Sequence, residues 1–153
     1  MFKNYDRIFR FILNVDAMED RIRKTITRQC RAIFPNTLNA NNTLFGGEAM
    51  KWMDEVAYIT ATRFTRQKMF TVKTEDIKFL KSIHPNSIVE VIGKIEKADP
   101  LKLRVILEMY SEDMYSDSRE KVMESVFIFV ALNEHNKPMR IDYSRFEKEF
   151  ELV

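Results

Sequence analysis

The chain has 153 residues, of which 45% are hydrophobic and 31% charged, and its formal net charge is +2. This length is enough for one domain with its own core, and the balance of residue types is that of an ordinary globular protein. The small net charge gives no indication of nucleic-acid binding, and no apolar run approaches the roughly 20 residues of a membrane-spanning helix, so we expect neither nucleic acid nor membrane as a partner.

The first 22 residues are predicted to form an N-terminal extension. Residues 1–17 mix phenylalanine and isoleucine with arginine and lysine, and Arg10 interrupts the apolar stretch. Because no cleavage site of small residues follows, the segment is not expected to be a secretory signal. The pattern favours a short helix packed on the surface, or an extension.

A strand is predicted from Lys24 to Phe34, where threonine, glutamine and arginine alternate with more apolar residues. The next segment, residues 36–42, is rich in asparagine and predicts turns. A helix is then predicted from Gly46 or Gly47 to about Gln67.

The predicted helix carries one clear apolar stripe. On a helical wheel this stripe comprises Met50, Met53, Ala57, Ala61 and Phe64. Asp54 falls about 40° from Met50, at the border of the stripe, where a carboxylate would be half-withdrawn from water. Trp52 and Ile59 lie near the opposite side. We therefore expect cover on both sides of the helix, from the protein's own sheet and from a neighbouring subunit or the N-terminal segment.

Four further strands are predicted, within residues 69–80, 88–95, 101–109 and 121–132. Residues 111–118 are predicted to form an acidic loop, and residues 139–153 a terminal helix or tail. Short connections favour antiparallel pairing. One long helix against five antiparallel strands is a two-layer α+β domain, in which strand twist curls the sheet around the helix.

The start of the helix is the most distinctive stretch for chemistry. Gly46 and Gly47 are two of the chain's three glycines. A double glycine there lets a ligand approach closely, and we expect the amides of Gly47 and Glu48 to be free to meet a carbonyl or an anion. Asp54 is then either a solvated helix carboxylate or a base or nucleophile acting on a group held at the turn.

These motifs, in this order and spacing, resemble the hot-dog-fold acyl-CoA thioesterases over about residues 23–138. The matching pieces run from Asn39 to Gly47, from Met50 to Glu55, from Val72 through Lys81, and from Val126 to Leu132. The resemblance implies the hot-dog fold, a long central helix wrapped by a five-stranded antiparallel sheet. It also implies homodimers, or trimers of dimers, with an active site at the dimer interface.

The resemblance also implies roles for individual residues. The family's helix carboxylate falls on Asp54, as base or nucleophile, and the glycine turn supplies the Gly47 amide that polarises the thioester carbonyl. Asn42 or Thr43 could orient the attacking water. The residue three before the first glycine is asparagine or aspartate in some members and is Thr43 here, which leaves the second catalytic role open.

The implied reaction is hydrolysis of acyl-CoA to a free carboxylic acid and coenzyme A, with no metal or resident cofactor. Candidates for contacting the coenzyme A phosphates are Arg63, Lys78 and Lys81, together with Arg66 and Lys73. Both arginines could equally be solvated residues at the helix end. Candidates for lining the acyl slot are Phe45, Gly46, Met50, Met53 and Tyr58, for which core packing is the alternative.

The single cysteine, Cys30, cannot form an internal disulfide, which fits a reducing compartment, and we expect a cytoplasmic protein. His84 and His135 are not at metal-ligand spacing, so no zinc site is predicted. The leading hypothesis is therefore an acyl-CoA thioesterase. The alternatives are a non-catalytic hot-dog protein that binds acyl-CoA, and a structural oligomer without a ligand.

Overall fold

The computed structural model of this protein describes residues 2–148. Its main elements are α1 (Phe2–Lys24), β1 (Thr27–Ala32), α2 (Gly46–Thr65), β2 (Met69–Phe79), β3 (Ser87–Ala98), β4 (Leu103–Asp113), β5 (Arg119–Leu132), β6 (Pro138–Met139) and α3 (Arg145–Lys148). The predictions for residues 1 and 149–153 lie outside the described residues. A short 3₁₀ turn, Pro35–Thr37, follows β1.

The strands form one antiparallel sheet in the order β1-β3-β4-β5-β2, and the short β6 pairs with β5. The predicted α+β arrangement of a long helix against five antiparallel strands is confirmed. The predicted loop over residues 111–118 is wrong in its first part, because Ser111, Glu112 and Asp113 continue β4 and pair with the start of β3. Their polar character reflects the exposed end of the strand rather than a loop.

One broad face of α2 packs on the sheet. Its buried residues are Ala49, Trp52, Met53, Val56, Ala57, Thr60, Ala61, Phe64 and Thr65. Met53, Ala57, Ala61 and Phe64 are buried as predicted. The expectation that the side of α2 with Trp52 needs cover from a neighbouring subunit or the N-terminal segment is wrong for this residue, since Trp52 is only 4% exposed in the single chain.

The buried face of α2 is rotated relative to the predicted stripe, because Trp52 and Val56 face the core and Met50 lies only half-buried at its edge. The guanidinium of Arg31, on β1, covers Trp52 at 5.2 Å from its ring centroid. This contact gives Trp52 the intrachain partner that was not expected. Ile59, in contrast, remains 37% exposed.

The helix approaches the sheet closely at Gly93, on β3. A Cβ atom at this position would lie 2.5 Å from Thr60 Oγ1 and 3.0 Å from Val56 Cγ1. Both distances are shorter than ordinary van der Waals contact, so a larger residue would force α2 away from the sheet. Gly93 therefore sets the height of α2 above the sheet.

Two arginines join the ends of α1 and α2. Arg21 donates hydrogen bonds to the carbonyls of Arg63 (2.6 Å) and Phe64 (3.1 Å), in the last turn of α2. Arg63 donates in return to the carbonyls of Lys24 (3.0 Å) and Ile26 (3.1 Å), where α1 ends. Each guanidinium thus satisfies carbonyls at or just beyond the end of the other helix, where helix carbonyls have no partner within the helix, and its charge complements the helix dipole. The structure places Arg63 in this reciprocal cap.

Residues after β5 also pack on this end of the domain. Ile141 and Phe146 are buried, and the Tyr143 hydroxyl donates to the Asp99 carbonyl at 2.7 Å. Burial raises the pKa of the Tyr143 hydroxyl, so it stays protonated. The end of the chain predicted as a helix or tail thus contains a one-turn helix, α3, whose ring at Phe146 lies against Phe64 of α2.

We expect Gly93→Ala to lower the free energy of unfolding by about 1–3 kcal/mol, because the added methyl overpacks the contact with Thr60 and Val56. Urea unfolding followed by circular dichroism measures the effect. The control is Lys94→Ala, at the next position on β3, where the side chain is exposed. Equal stability of the two variants would contradict the packing role of Gly93.

Candidate active site

The turn before α2 is organised by the side chain of Asn39. Its Oδ1 accepts hydrogen bonds from the Asn41 amide (2.9 Å), the Thr43 amide (3.2 Å) and the Thr43 hydroxyl (3.2 Å). Asn42 has a left-handed backbone, with φ of 58°, which asparagine tolerates better than most residues. The asparagine-rich segment therefore folds into a turn, as predicted.

Asn39 keeps a free donor. Two of its three partners are backbone N–H groups, which can only donate. The side-chain atom that accepts from them must therefore be the oxygen, which leaves the Nδ2 group on the other side of the amide. No acceptor for its Nδ2 group is found among residues 2–148. Asn39 lies next to open space, because it lines a cleft of about 360 Å³. Its amide is therefore available to a carbonyl oxygen that enters the cleft.

The cleft joins the turn to the end of β2. Residues on its wall include Asn39, Thr43, Gly46, Phe79, Lys81 and Met123. Thr43, Gly46 and Lys81, predicted as site residues, therefore lie together. Asn42 and Gly47 are not on this wall: Asn42 is exposed on the turn, and Gly47 lies under the Phe45 ring, where a Cβ atom would be 2.6 Å from Cε1.

The first turn of α2 leaves backbone amides open. The residue before the helix, Phe45, provides no side-chain cap. The amides of Gly46 and Gly47 have no acceptor within the described part of the chain. The expectation that the Glu48 amide is also free is wrong, because it donates to the Phe45 carbonyl at 3.0 Å. The glycine amides are thus the available donors at this helix end.

Asp54 lies two turns along α2 from Gly47, about 10 Å along the helix axis and on nearly the same side. It is exposed in the single chain and does not line the cleft. The expectation that it is half-withdrawn from water is therefore wrong for one chain, because the buried face of α2 is turned toward Trp52. Its Oδ1 accepts a hydrogen bond from the Thr71 hydroxyl, on β2, at 3.1 Å.

Sequence reasoning missed the site positions of Asn39 and Thr71. Asn39 was noted only as part of the asparagine-rich segment, although asparagine side chains often stabilise turns by hydrogen bonding to the backbone of the residues that follow. Thr71 carried no usable signal, because threonine is common in strands and its contact with Asp54 joins two separate elements.

The predicted basic residues have acidic neighbours. Lys78 lies 3.5 Å from Glu124, and Lys81 lies 2.5 Å from Glu120, with more than half of each lysine side chain exposed. Of the candidates for phosphate contact, only Lys81 is on the cleft wall. Tyr58 and Phe45, predicted for the acyl slot, are 50% and 57% exposed.

Asp54 and Thr71 lie beside an open edge of the sheet. β2 is the last strand in the sheet order and pairs only with β5 in the described chain. Exposed apolar residues on or next to this edge are Phe70 (56%), Val72 (47%), Phe79 (61%) and Leu80 (47%). An unpaired strand edge with such residues is a ready template for pairing with another chain.

No helix in residues 2–148 is both long and apolar enough to cross a membrane. The same residues contain no group of three or more histidine, cysteine, aspartate or glutamate side chains arranged to hold a metal ion.

Residues 41–116 match the family model described as the thioesterase superfamily. The chain is 30% identical over 121 residues to YkhA of Bacillus subtilis, an uncharacterised acyl-CoA thioester hydrolase, covering 79% of this chain and 70% of YkhA.

Two solved structures are similar over most of the chain. An acyl-CoA hydrolase from Bacillus cereus is 25% identical, with a TM-score of 0.75 and coverage of 86% of this chain and 83% of that one. HI0827, described as a hexameric broad specificity acyl-coenzyme A thioesterase and solved as an aspartate-to-alanine mutant, is 25% identical, with a TM-score of 0.71 and coverage of 82% and 94%.

Proposed function

This chain belongs to the thioesterase superfamily, and from that premise we propose that it is an acyl-CoA thioester hydrolase, converting acyl-CoA and water into a carboxylic acid and coenzyme A. Its fold is the hot-dog fold expected from the sequence. One observation carries the proposal: a helix starts with two uncapped glycine amides beside a cleft and carries, two turns on, a carboxylate held by a hydroxyl.

The donors at the cleft suit a thioester carbonyl. Gly46 and Asn39 line the same cavity, and Gly47 is the next residue of the helix. Hydrogen bonds from these groups stabilise the negative charge that develops on the carbonyl oxygen during attack. Loss of one such donor in other enzymes costs roughly 3–4 kcal/mol of transition-state stabilisation. We assign this role to Asn39 and Gly46 beside the predicted Gly47.

Asp54 is the proposed base or nucleophile. As a base, it takes a proton from water while the water oxygen bonds to the carbonyl carbon and the C–S bond breaks, releasing the coenzyme A thiolate. As a nucleophile, it bonds to the carbonyl carbon while the C–S bond breaks and the coenzyme A thiolate leaves, and water then hydrolyses the resulting mixed anhydride to the carboxylic acid and free Asp54. In both cases Thr71 keeps one carboxylate oxygen occupied, which orients the other toward the substrate.

We further propose that two chains complete the site. Asp54 lies outside the cleft of its own chain, beside the open β2 edge with its exposed apolar residues. Pairing of two such edges would bury these residues and bring the carboxylate of one chain toward the donors of the other. The hexameric state of HI0827 is consistent with a trimer of such dimers.

Coenzyme A is part of the substrate, so the proposed reaction calls for no resident cofactor. The roles of Asn42 and Thr43 in orienting water, and of Lys78 and Lys81 toward the phosphates, are also proposals, with Lys81 best positioned by its place at the cleft. The lone Cys30 favours a cytoplasmic location.

We expect Asp54→Ala to lower kcat for acyl-CoA hydrolysis by about 100-fold or more, because the general base or nucleophile is lost. Released thiol, measured over a panel of acyl-CoAs, reports the rate. Glu55→Gln is the control, since the Glu55 carboxylate pairs with Arg31 on the other side of α2. Equal rates for wild type and Asp54→Ala would remove Asp54 from the mechanism. Saturable acyl-CoA binding by the wild type without thiol release would favour the non-catalytic alternative.

Asn39→Asp separates the structural and chemical roles of this side chain. The carboxylate can still accept the three hydrogen bonds of the turn, but the Nδ2 donor is replaced by a charged oxygen. We expect kcat to fall by about 100-fold or more while the melting temperature changes little. Asn36→Asp, at an exposed position of the 3₁₀ turn, is the matched control. Unchanged kcat in Asn39→Asp would exclude Asn39 as an oxyanion donor.

We expect the wild-type protein to sediment as a dimer or a multiple of dimers, and Val72→Lys to shift it toward monomer with loss of turnover. A lysine on the β2 edge disfavours edge pairing. Leu101→Lys, at an apolar residue that is also exposed (57%, against 47% for Val72) and lies away from β2, serves as control. A fully active monomer at micromolar concentration would contradict the shared site.

A further inference from the structure

Phe79 stands out among the exposed apolar residues. It is the last residue of β2, and its side chain is 61% exposed. Yet it lies on the helix side of the sheet, since it pairs with Met123, whose side chain is buried in the core. Its ring lies against the start of α2: Cε1 is 3.2 Å, and Cζ 3.5 Å, from the position of a Cβ atom on Gly46.

An irregularity in β2 brings Phe79 to this side. Glu75 pairs with Val126 and Lys78 with Glu124, so β2 contains one more residue than β5 between these pairs. Glu75 faces the outer side of the sheet, where it pairs with Arg104. Strict alternation would place Phe79 on that same outer side. The extra residue reverses the alternation and turns Phe79 toward α2.

The backbone at this bulge is unusual. Asp76 has a φ of 52°, in the left-handed region that residues other than glycine seldom adopt. Such conformations cost free energy and persist where the surrounding structure requires them. Here the result is that an exposed aromatic ring is held over one of the two glycines at the start of α2.

The ring also borders the space beside the proposed oxyanion donors. Phe79 lines the same cleft as Asn39 and Gly46. A carbonyl oxygen bonded to these donors would bring the next carbon of the acyl group into the cleft toward the Phe79 ring, where van der Waals contact is expected. A straight acyl chain can pass along the flat ring face, whereas a methyl branch on that carbon would collide with the ring.

We propose that Phe79 is a specificity-determining residue, which selects acyl groups that are unbranched at the carbon next to the thioester. This inference rests on the proposed hydrolysis and defines the class of its substrates. The bulge at Asp76 and Ile77 is the structural device that aims Phe79 at the reacting group.

The test compares two isomeric substrates, butanoyl-CoA and 2-methylpropanoyl-CoA, which have the same atoms and differ only in branching. We expect the wild type to prefer the straight isomer by about 10-fold or more in kcat/KM, the range that one misplaced methyl group produces. In Phe79→Ala, the preference should fall by about 10-fold, mainly because kcat/KM for the branched isomer rises. Phe34→Ala is the control, since Phe34 is similarly exposed, at 63%, and lies outside this cleft.

The preference is a ratio measured within one preparation, so partial loss of folded protein does not alter it. Phe79→Leu, which keeps an apolar side chain, should shift the ratio in the same direction by less than Phe79→Ala. A ratio that is unchanged in both variants, or a wild type that turns over both isomers equally, would overturn the inference and leave the hydrolase function standing. Absence of turnover of any acyl-CoA by the wild type would overturn the function and this inference together.

Discussion

The contact between α2 and Gly93 determines how the rest of the domain is arranged. Because no side chain separates Val56 and Thr60 from β3, the helix lies directly on the sheet and its rotation is fixed. The core then takes the face that carries Trp52, Met53 and Val56. The opposite face, with Gly47 and Asp54, is left outside the core, and Asp54 contacts Thr71 at the β2 edge of the sheet. The orientation of the candidate carboxylate is therefore a consequence of core packing.

This arrangement divides the candidate chemistry between two surfaces of one chain. The cleft at the turn holds hydrogen-bond donors and no carboxylate from α2, while Asp54 stands at the β2 edge with Thr71. The division has an energetic reason. A charged group buried within the monomer would carry a desolvation cost during folding, whereas at an edge it remains hydrated in the single chain. In the proposed two-chain site, a partner would cover it. Assembly and formation of a water-poor site would then be the same event.

The sequence predicted α2 and the main strands because their apolar residues recur with clear periods of 3.6 and 2. It also located the glycine turn and Asp54. It did not predict that Trp52 packs in the core, because a helical wheel gives the angles between residues but not which side of the helix the sheet covers. The predicted stripe was centred on Met50, which lies at the edge of the buried face. Which side of the helix faces the sheet is determined by the long-range contact with Gly93, which the helical wheel does not include.

The other discrepancies have the same origin. In the sequence, Arg63 is recognisable only as a cation near a helix end. Its hydrogen-bond acceptors lie 36 to 39 residues earlier in the chain. Thr71 contacts Asp54 across two elements, and the Glu48 amide is satisfied by the carbonyl of Phe45, three residues earlier. Local patterns thus defined the elements, while the identity of their contacts depended on tertiary structure.

The reciprocal arginine caps couple the beginning of the chain to its central helix. Arg21, on α1, caps the end of α2, and Arg63, on α2, caps the end of α1. The hydrogen bonds at each helix end therefore form only when the other helix is in place. The last turn of α2 must therefore fray whenever α1 detaches, and the two should exchange their amide hydrogens with solvent as one cooperative unit. A segment that looks dispensable in the linear sequence is in this way part of the mechanical support of the helix that carries Asp54.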